Sequence, residues 1–493
     1  MADAFLNDPD ALPIPMGVRL DTGLALPRLS ASDAARVIAS PDLTDAPARS
    51  DSQKTLAPDA SVTMAGDLTQ AGWAVLFASD ADPAIKQQLQ PLLDLRQRQV
   101  EKDPIPGLPS RFRIFEGEAV GTGPIFTGGV LPGQTADDWA RARGVNFSSP
   151  VNPDIVPYYL LIVGSPDRIS FDFHSNFKLQ WLVGRLYFDD IADYGRYAAQ
   201  VVAYETAPWK PLPAKNAAVW LTANQGDIAT TILSGAIQAE FQNTTPPFGA
   251  TRGCGYSMDL FLGEAATKQQ LAEIFAGNLP GGVPTVVFTG SHGSEFAMPT
   301  TPEAIAAQKA GQGSLVTQEW TPGDPLTPAC QFGADDIPAA NTLPGTMVFM
   351  FACYSVGCPA TDNYYFNADG STIPAAPAPL ISRLAQKLLA NGALAVIGHV
   401  DRAFPYGIEN VNGTSQVKLI RTPLERLMQG QTVGLAADTF SNSWSALSAK
   451  LGLNAPPLST AAAARSRIAR DDARNYVVLG DPAARLRVKD DSA

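Results

Sequence analysis

Two short apolar runs constrain this chain more than any other feature. Thr285-Val-Val-Phe-Thr-Gly-Ser-His-Gly-Ser294 and Thr346-Met-Val-Phe-Met-Phe-Ala-Cys-Tyr354 are rich in β-branched and apolar residues, and neither has a helical period. Each reads as a strand buried on both faces, the pattern of a parallel sheet covered by helices. Each also ends in a potential catalyst, His292 or Cys353. In an open parallel sheet the carboxyl ends of the strands form the rim where ligands bind. Two such strands side by side would therefore bring an imidazole and a thiol together.

Four further strand-like runs, at 217–222, 257–262, 393–399 and 476–479, join those at 284–289 and 346–352. Helical segments at 227–241, 267–276, 378–390, 433–451 and 460–472 alternate with them. Strand and helix in turn imply parallel pairing with right-handed crossovers. Upstream lies a second α/β unit. It holds strands at Gly72–Ala78 and Tyr158–Val163, a helix from Pro83 to Glu101 interrupted near Pro91, a Gly/Pro-rich loop from Gly117 to Gly133, a helix capped by Thr135 and a helix over 190–205. Prolines in Trp209-Lys-Pro-Leu-Pro213 mark the junction, since they extend neither neighbour. The expected organisation is an extended or loosely packed arm over 1–65, a smaller α/β subdomain over 66–208 and the main α/β domain over 209–493. The arm is rich in Ala, Asp, Pro and Ser, without a sustained period.

The balance of the 493 residues, 45% hydrophobic and 17% charged, allows a large core, and no apolar run reaches membrane-spanning length. A formal charge of -12 argues against a partner that tracks phosphates, so neither nucleic acid nor membrane is expected. Cys254, Cys330, Cys353 and Cys358 make neither a disulfide framework nor a zinc pattern, and unbridged thiols are expected. The start, Met-Ala-Asp-Ala-Phe-Leu, lacks a basic segment followed by an apolar stretch, so the expected location is cytoplasmic.

A thiol with an ordinary pKa of about 8.5 needs an imidazole or a positive dipole beside it to act as a nucleophile. Cys353 at a strand-to-loop turn would attack a peptide carbonyl to give a thioester, and His292 would protonate the leaving amine and then activate water. The tetrahedral oxyanion needs donors. Gly293, with no side chain to shield its amide, and the Cys353 N–H are the expected pair, worth about 3 kcal/mol per donor. Either residue alone would more often be an ordinary buried thiol or a turn histidine. The chain has only three histidines, however, and one of them closes the strand that matches the cysteine's. His399 in Ala395-Val-Ile-Gly-His is the rival base, a wall of the substrate cleft or a satisfied core histidine; His174 reads as structural; and Ser291 and Glu295, which flank His292 and are candidates to orient its ring, read rather as polar loop residues. Cys358 reads as a packed thiol, or as an adventitious redox partner of Cys353. Gly480-Asp-Pro482 reads as the turn after the last strand.

These motifs resemble the clan of cysteine peptidases that contains caspases, legumain, clostripain, separase, gingipains and CHAT-domain proteases. The likeness to gingipain-like peptidases goes further, through Pro157-Tyr-Tyr-Leu-Leu-Ile-Val-Gly164, Val183-Gly-Arg-Leu186, Val202-Ala-Tyr-Glu205 and Tyr476-Val-Val-Leu-Gly-Asp-Pro482, and spans roughly residues 155–488. The resemblance implies a caspase-like (caspase/hemoglobinase) three-layer α/β sandwich with a six-stranded, mostly parallel sheet. It implies a Cys-His endopeptidase needing no organic cofactor, with Cys353, His292 and Gly293 in the family's catalytic positions. Relatives place acidic groups around the cleft. By that likeness Asp227, which otherwise caps the helix it begins, and Asp401 are the substrate-binding candidates, and cleavage after Arg or Lys is expected unless Arg402 neutralises Asp401 or inverts the preference toward acidic residues. The partners implied are a protein or peptide substrate and a regulatory protein, in an intracellular regulatory or defence role. No metal ligands are assigned. The reading from another class is a catalytically silent scaffold of the same fold that binds partner proteins.

Overall fold

The computed structural model describes residues 12–39, 61–104, 107, 109–118, 123, 126–208, 210–242, 254–338, 341–405, 417–452 and 460–488. The start of the expected arm, its stretch 40–60, and Trp209 of the expected junction lie outside these residues.

All six expected strands of the main domain form, and they belong to a sheet of ten. In chain order its strands are β1 (Trp73–Phe77), β2 (Phe112–Phe115), β3 (Tyr159–Val163), β4 (Leu182–Leu186), β5 (Asn216–Leu221), β6 (Ser257–Leu262), β7 (Val286–Gly290), β8 (Met347–Phe351), β9 (Ala395–His399) and β10 (Tyr476–Gly480). Their spatial order is β2-β1-β3-β4-β10-β9-β8-β7-β5-β6. Strands β1, β3, β4, β5, β7, β8, β9 and β10 are buried at every position, which explains why they read as continuous apolar runs rather than as alternations.

The smaller subdomain expected before residue 208 does not build a sheet of its own. Its strands β1 to β4 continue the main sheet, joined through β10, which runs parallel to β4 (Leu479 beside Arg185) and antiparallel to β9. Each half is internally parallel, and the halves run in opposite senses. Strands β5 to β9 therefore deliver their carboxyl ends to one rim, and β1 to β4 with β10 deliver theirs to the opposite one.

The Gly480-Asp-Pro482 turn welds this seam. Asp481 is fully buried and accepts from Arg96 Nε (2.6 Å), Trp73 Nε1 (3.0 Å) and the Ala483 amide (3.0 Å), while Arg96 also pairs with Glu205. A buried carboxylate held this way ties the Pro83–Val100 helix to the turn after β10, the last strand of the chain. Helices Pro83–Val100, Ile191–Thr206 and Arg383–Ala390 pack together against the sheet, as do Lys418–Met428, Val433–Gly452 and Thr460–Asn475.

A smaller mixed sheet lies at the rim. It contains Gly17–Arg19, Gly293–Glu295, Leu315–Val316 and Gln331–Phe332, in the order in which they pair. Its first strand belongs to the expected loose arm. Residues 13 and 15–18 are buried, and Ala31–Ala39 is a helix packed on Thr460–Asn475, so this part of the arm is extended at first but firmly seated.

Candidate active site

Strands β7 and β8 pair in parallel from Val286 beside Met347 to Gly290 beside Phe351. His292 and Cys353 each stand two residues beyond the last pair, so in-register strands deliver them side by side at the rim, where neighbouring strands lie about 4.8 Å apart. The approach is close. A Cβ on Gly293 would stand 1.9 Å from the Cys353 carbonyl oxygen, so only glycine lets the His292 segment cross the cysteine turn. Tyr354 has φ +57° although it is bulky and buried. Such left-handed backbone costs of order 1–3 kcal/mol and is tolerated where the surroundings demand it. Here it bends the chain sharply just after the cysteine, and the Tyr354 amide is held by the Asp401 carbonyl (2.9 Å).

His292 is fully buried, with its ring edge-on to Trp320 at 5.5 Å between centroids. Its Nε2 meets Asp227 Oδ2 at 2.9 Å, while Nδ1 has no hydrogen-bond partner. With Nε2 engaged, Nδ1 is the ring nitrogen left to exchange a proton. Asp227 in turn accepts from the Thr230 amide (2.8 Å) and hydroxyl (2.6 Å). Burial pushes the Asp227 carboxyl up, but the attraction of His292 and the bonds from His292 and Thr230 outweigh it and hold the pKa at about 2. The acidic residue expected to meet a basic substrate side chain is therefore spent on the histidine. It also caps the helix it begins, as its position in the sequence suggests. Sequence reasoning missed the Asp227–His292 pair because 65 residues separate the partners and no local pattern links them.

The Cys353 thiol is fully buried, accepts from the Ala403 amide at 3.2 Å and lies 3.7 Å from the Ala403 carbonyl oxygen. Burial pushes its pKa well up, against the pull of the Arg402 guanidinium. Arg402 is itself neutralised. It forms a two-pronged pair with Glu295 (2.6 and 3.0 Å) and bonds Asp362, so it is not poised to select acidic substrates. Glu295 thus serves Arg402 rather than the His292 ring, and Ser291 donates to the His292 carbonyl. The amides of Gly293 and Cys353 converge on a single acceptor, the carbonyl oxygen of Met16, at 3.0 and 3.2 Å.

His399 lies elsewhere in role. It is buried against Tyr476 (4.0 Å between ring centroids) and Phe351 (5.9 Å), with neither ring nitrogen hydrogen-bonded. Burial holds its pKa near 3, which makes it a neutral core histidine rather than a base or a cleft wall. Asp401 is buried and bonded by the Asn363 amide (2.6 Å), and burial raises its pKa to about 7. It lines a cavity of about 210 Å³ with Asp172, Asn363, Arg474 and Asn475, and neither Cys353 nor His292 borders that cavity. All four cysteines are buried and unbridged, and Cys358 is a packed thiol beside Gln312 (3.7 Å). Among the described residues no group of three or more His, Cys, Asp or Glu side chains is placed to hold a metal ion, and no helix is long and apolar enough to cross a membrane.

The model of peptidase family C25 matches residues 130–487, which include both strand ends and the Gly480-Asp-Pro482 turn. This chain belongs to peptidase family C25. It is a cysteine peptidase of the gingipain family, with the caspase-like fold of that clan. No curated protein matches this C25 peptidase significantly. Among solved structures it is similar to one described only as a protease (13% identity, 84% of this chain and 78% of that one, TM-score 0.46). It is also similar to the Arg-specific cysteine proteinase gingipain R (12%, 85% and 78%, TM-score 0.40). A third is the complex of Porphyromonas gingivalis RgpB pro- and mature domains (12%, 84% and 79%, TM-score 0.36).

Proposed function

We propose that this C25 peptidase cuts within polypeptides through a Cys353–His292 dyad, with Asp227 orienting the imidazole and the amides of Gly293 and Cys353 receiving the oxyanion. The observation that carries the reading is the convergence of those two amides on one peptide carbonyl at 3.0 and 3.2 Å, beside the thiol. Preorganised donors at that spacing are what a tetrahedral intermediate of acyl transfer requires. The unpartnered Nδ1 of His292 supplies the proton relay. Cys353 Sγ attacks the carbonyl carbon, the C–N bond breaks as His292 protonates the amine, and water admitted to the site hydrolyses the thioester.

A preference for Arg or Lys before the cut finds little support in the acidic residues. Asp227 is paired with His292, and Asp401 faces a different cavity. The test is a proteome digest with sequencing of the new termini, run with the wild type and with Cys353→Ala and His292→Ala. The reading requires new termini only with the wild type. Termini that persist in Cys353→Ala would sink it.

A further inference from the structure

The carbonyl that fills the oxyanion site belongs to the chain itself, and the residues on both sides of it are bound as an extended peptide. On the amino side, the Met16 amide donates to the Ala403 carbonyl at 2.8 Å, next to the amide that holds the thiol. On the carboxyl side, Gly17–Arg19 pairs in parallel with Gly293–Glu295, the segment that begins just after His292. The Leu20 amide extends the ladder to the Glu295 carbonyl (2.8 Å). A Cβ on Gly17 would stand 3.3 Å from Cys353 Sγ, a tight contact, and 2.5 Å from the movable Cδ1 of the arm's own Leu26, so a small residue after Met16 fits best against the sulfur. The Met16 side chain is fully buried within the main apolar core. Val18 packs into a separate cluster with Val316, Trp320, Leu326 and Cys330.

A strand that merely covered the rim would share its amides and carbonyls with one neighbour in a regular ladder. Here one carbonyl takes two donors from two different strand ends, at the nucleophile, with a side chain buried on each flank.

We propose that this chain is its own substrate: the Met16–Gly17 peptide bond is the one presented to Cys353 and is cut within the molecule. The site accordingly takes an apolar side chain before the cut and a small residue after it. The proposal rests on the peptidase reading above and adds the substrate to it. In the cut, the thiol proton passes to His292 and sulfur bonds to the Met16 carbonyl carbon. The bond to the Gly17 nitrogen breaks with that nitrogen taking the proton, and one water then converts the thioester to the Met16 carboxylate and restores the thiol. Until the cut, the arm shuts other polypeptides out.

The test follows the intact mass and N-terminal sequence of the full chain during incubation, for the wild type, Cys353→Ala and Met16→Asp. The expected result is loss of residues 1–16 to leave Gly17 as the new terminus, with a first-order rate unchanged over a tenfold range of protein concentration. Cys353→Ala should stay whole, and Met16→Asp should be cut at least tenfold more slowly. A cut at another bond, or a rate proportional to concentration, overturns the proposal. So does a wild type that stays whole. In that case Met16→Asp, which puts a charge where the arm is buried and so loosens it, separates the two readings. Alkylation of its Cys353 by a peptidyl warhead leaves the peptidase reading standing, and failure to react removes both.

Discussion

Replacing Asp227 by Asn removes the charge facing His292 and distinguishes orientation of the base from recognition of a basic side chain. The carboxyl lies at a pKa of about 2 against an ordinary 3.8, in spite of its burial. At 1.36 kcal/mol per pKa unit, that difference is roughly 2.4 kcal/mol of preference for the charged form. Thr230 supplies part of the pull and burial opposes it, so ~2.4 kcal/mol is a net figure that sets the scale of what His292 receives. As a loss of transition-state stabilisation it corresponds to a fall of about 50-fold, and a fall of roughly 5- to 50-fold is expected. It should appear in kcat, because the imidazolium that Asp227 stabilises forms during the reaction, with KM little changed. The assay is steady-state hydrolysis of two peptide reporters, one with Met and one with Arg before the cut. Equal losses in kcat on both are expected. A rise in KM confined to the Arg reporter, with kcat intact, would refute the orienting role and restore the pocket.

Three other perturbations read separate parts of the structure. Gly293→Ala puts a methyl group into the Cys353 carbonyl and should lower activity about 10²-fold or more, measured on the same reporters; near-normal activity would remove Gly293 from the oxyanion site. Asp481→Asn takes a charge from the buried Arg96 and should cost about 3–5 kcal/mol in denaturant unfolding; a cost under about 1 kcal/mol would show that the seam does not depend on it. Asp401 behaves in the opposite sense to Asp227. Burial raises its folded pKa to about 7 from 3.8, so the stability it confers is complete below about pH 4 and is lost as pH rises through 7. Asp401→Asn should therefore gain in melting temperature relative to the wild type between pH 4 and pH 8, and a gap that does not change with pH would contradict the shift.

Much of the architecture is legible in the residues themselves. Strands buried on both faces, such as Val286–Gly290 and Met347–Phe351, leave uninterrupted apolar runs, and the equal distance of His292 and Cys353 from those runs carries the register that the sheet displays. Features that depend on pairing between distant strands are not legible. Nothing local in Tyr476–Gly480 states that it runs antiparallel to β9, and this one choice merges two expected units into one sheet. Asp227 gives a clear capping signal, which hides its second bond to His292. The arm is the largest surprise. Pro13-Ile14-Pro15-Met16-Gly17 has neither helical nor strand period, because its contacts are those of a single extended peptide bound in a cleft. Arg402 beside Asp401 suggests charge reversal at the cleft, whereas its partners are Glu295 and Asp362.

The central claim, that His292 activates Cys353 as the nucleophile, is tested most directly by mass mapping of the adduct formed with an irreversible peptidyl acyloxymethyl ketone. The account predicts modification of Cys353 alone, with Cys254, Cys330 and Cys358 untouched and the rate at least about 10²-fold lower in His292→Ala. An adduct on another cysteine, or an unchanged rate without the imidazole, would contradict it.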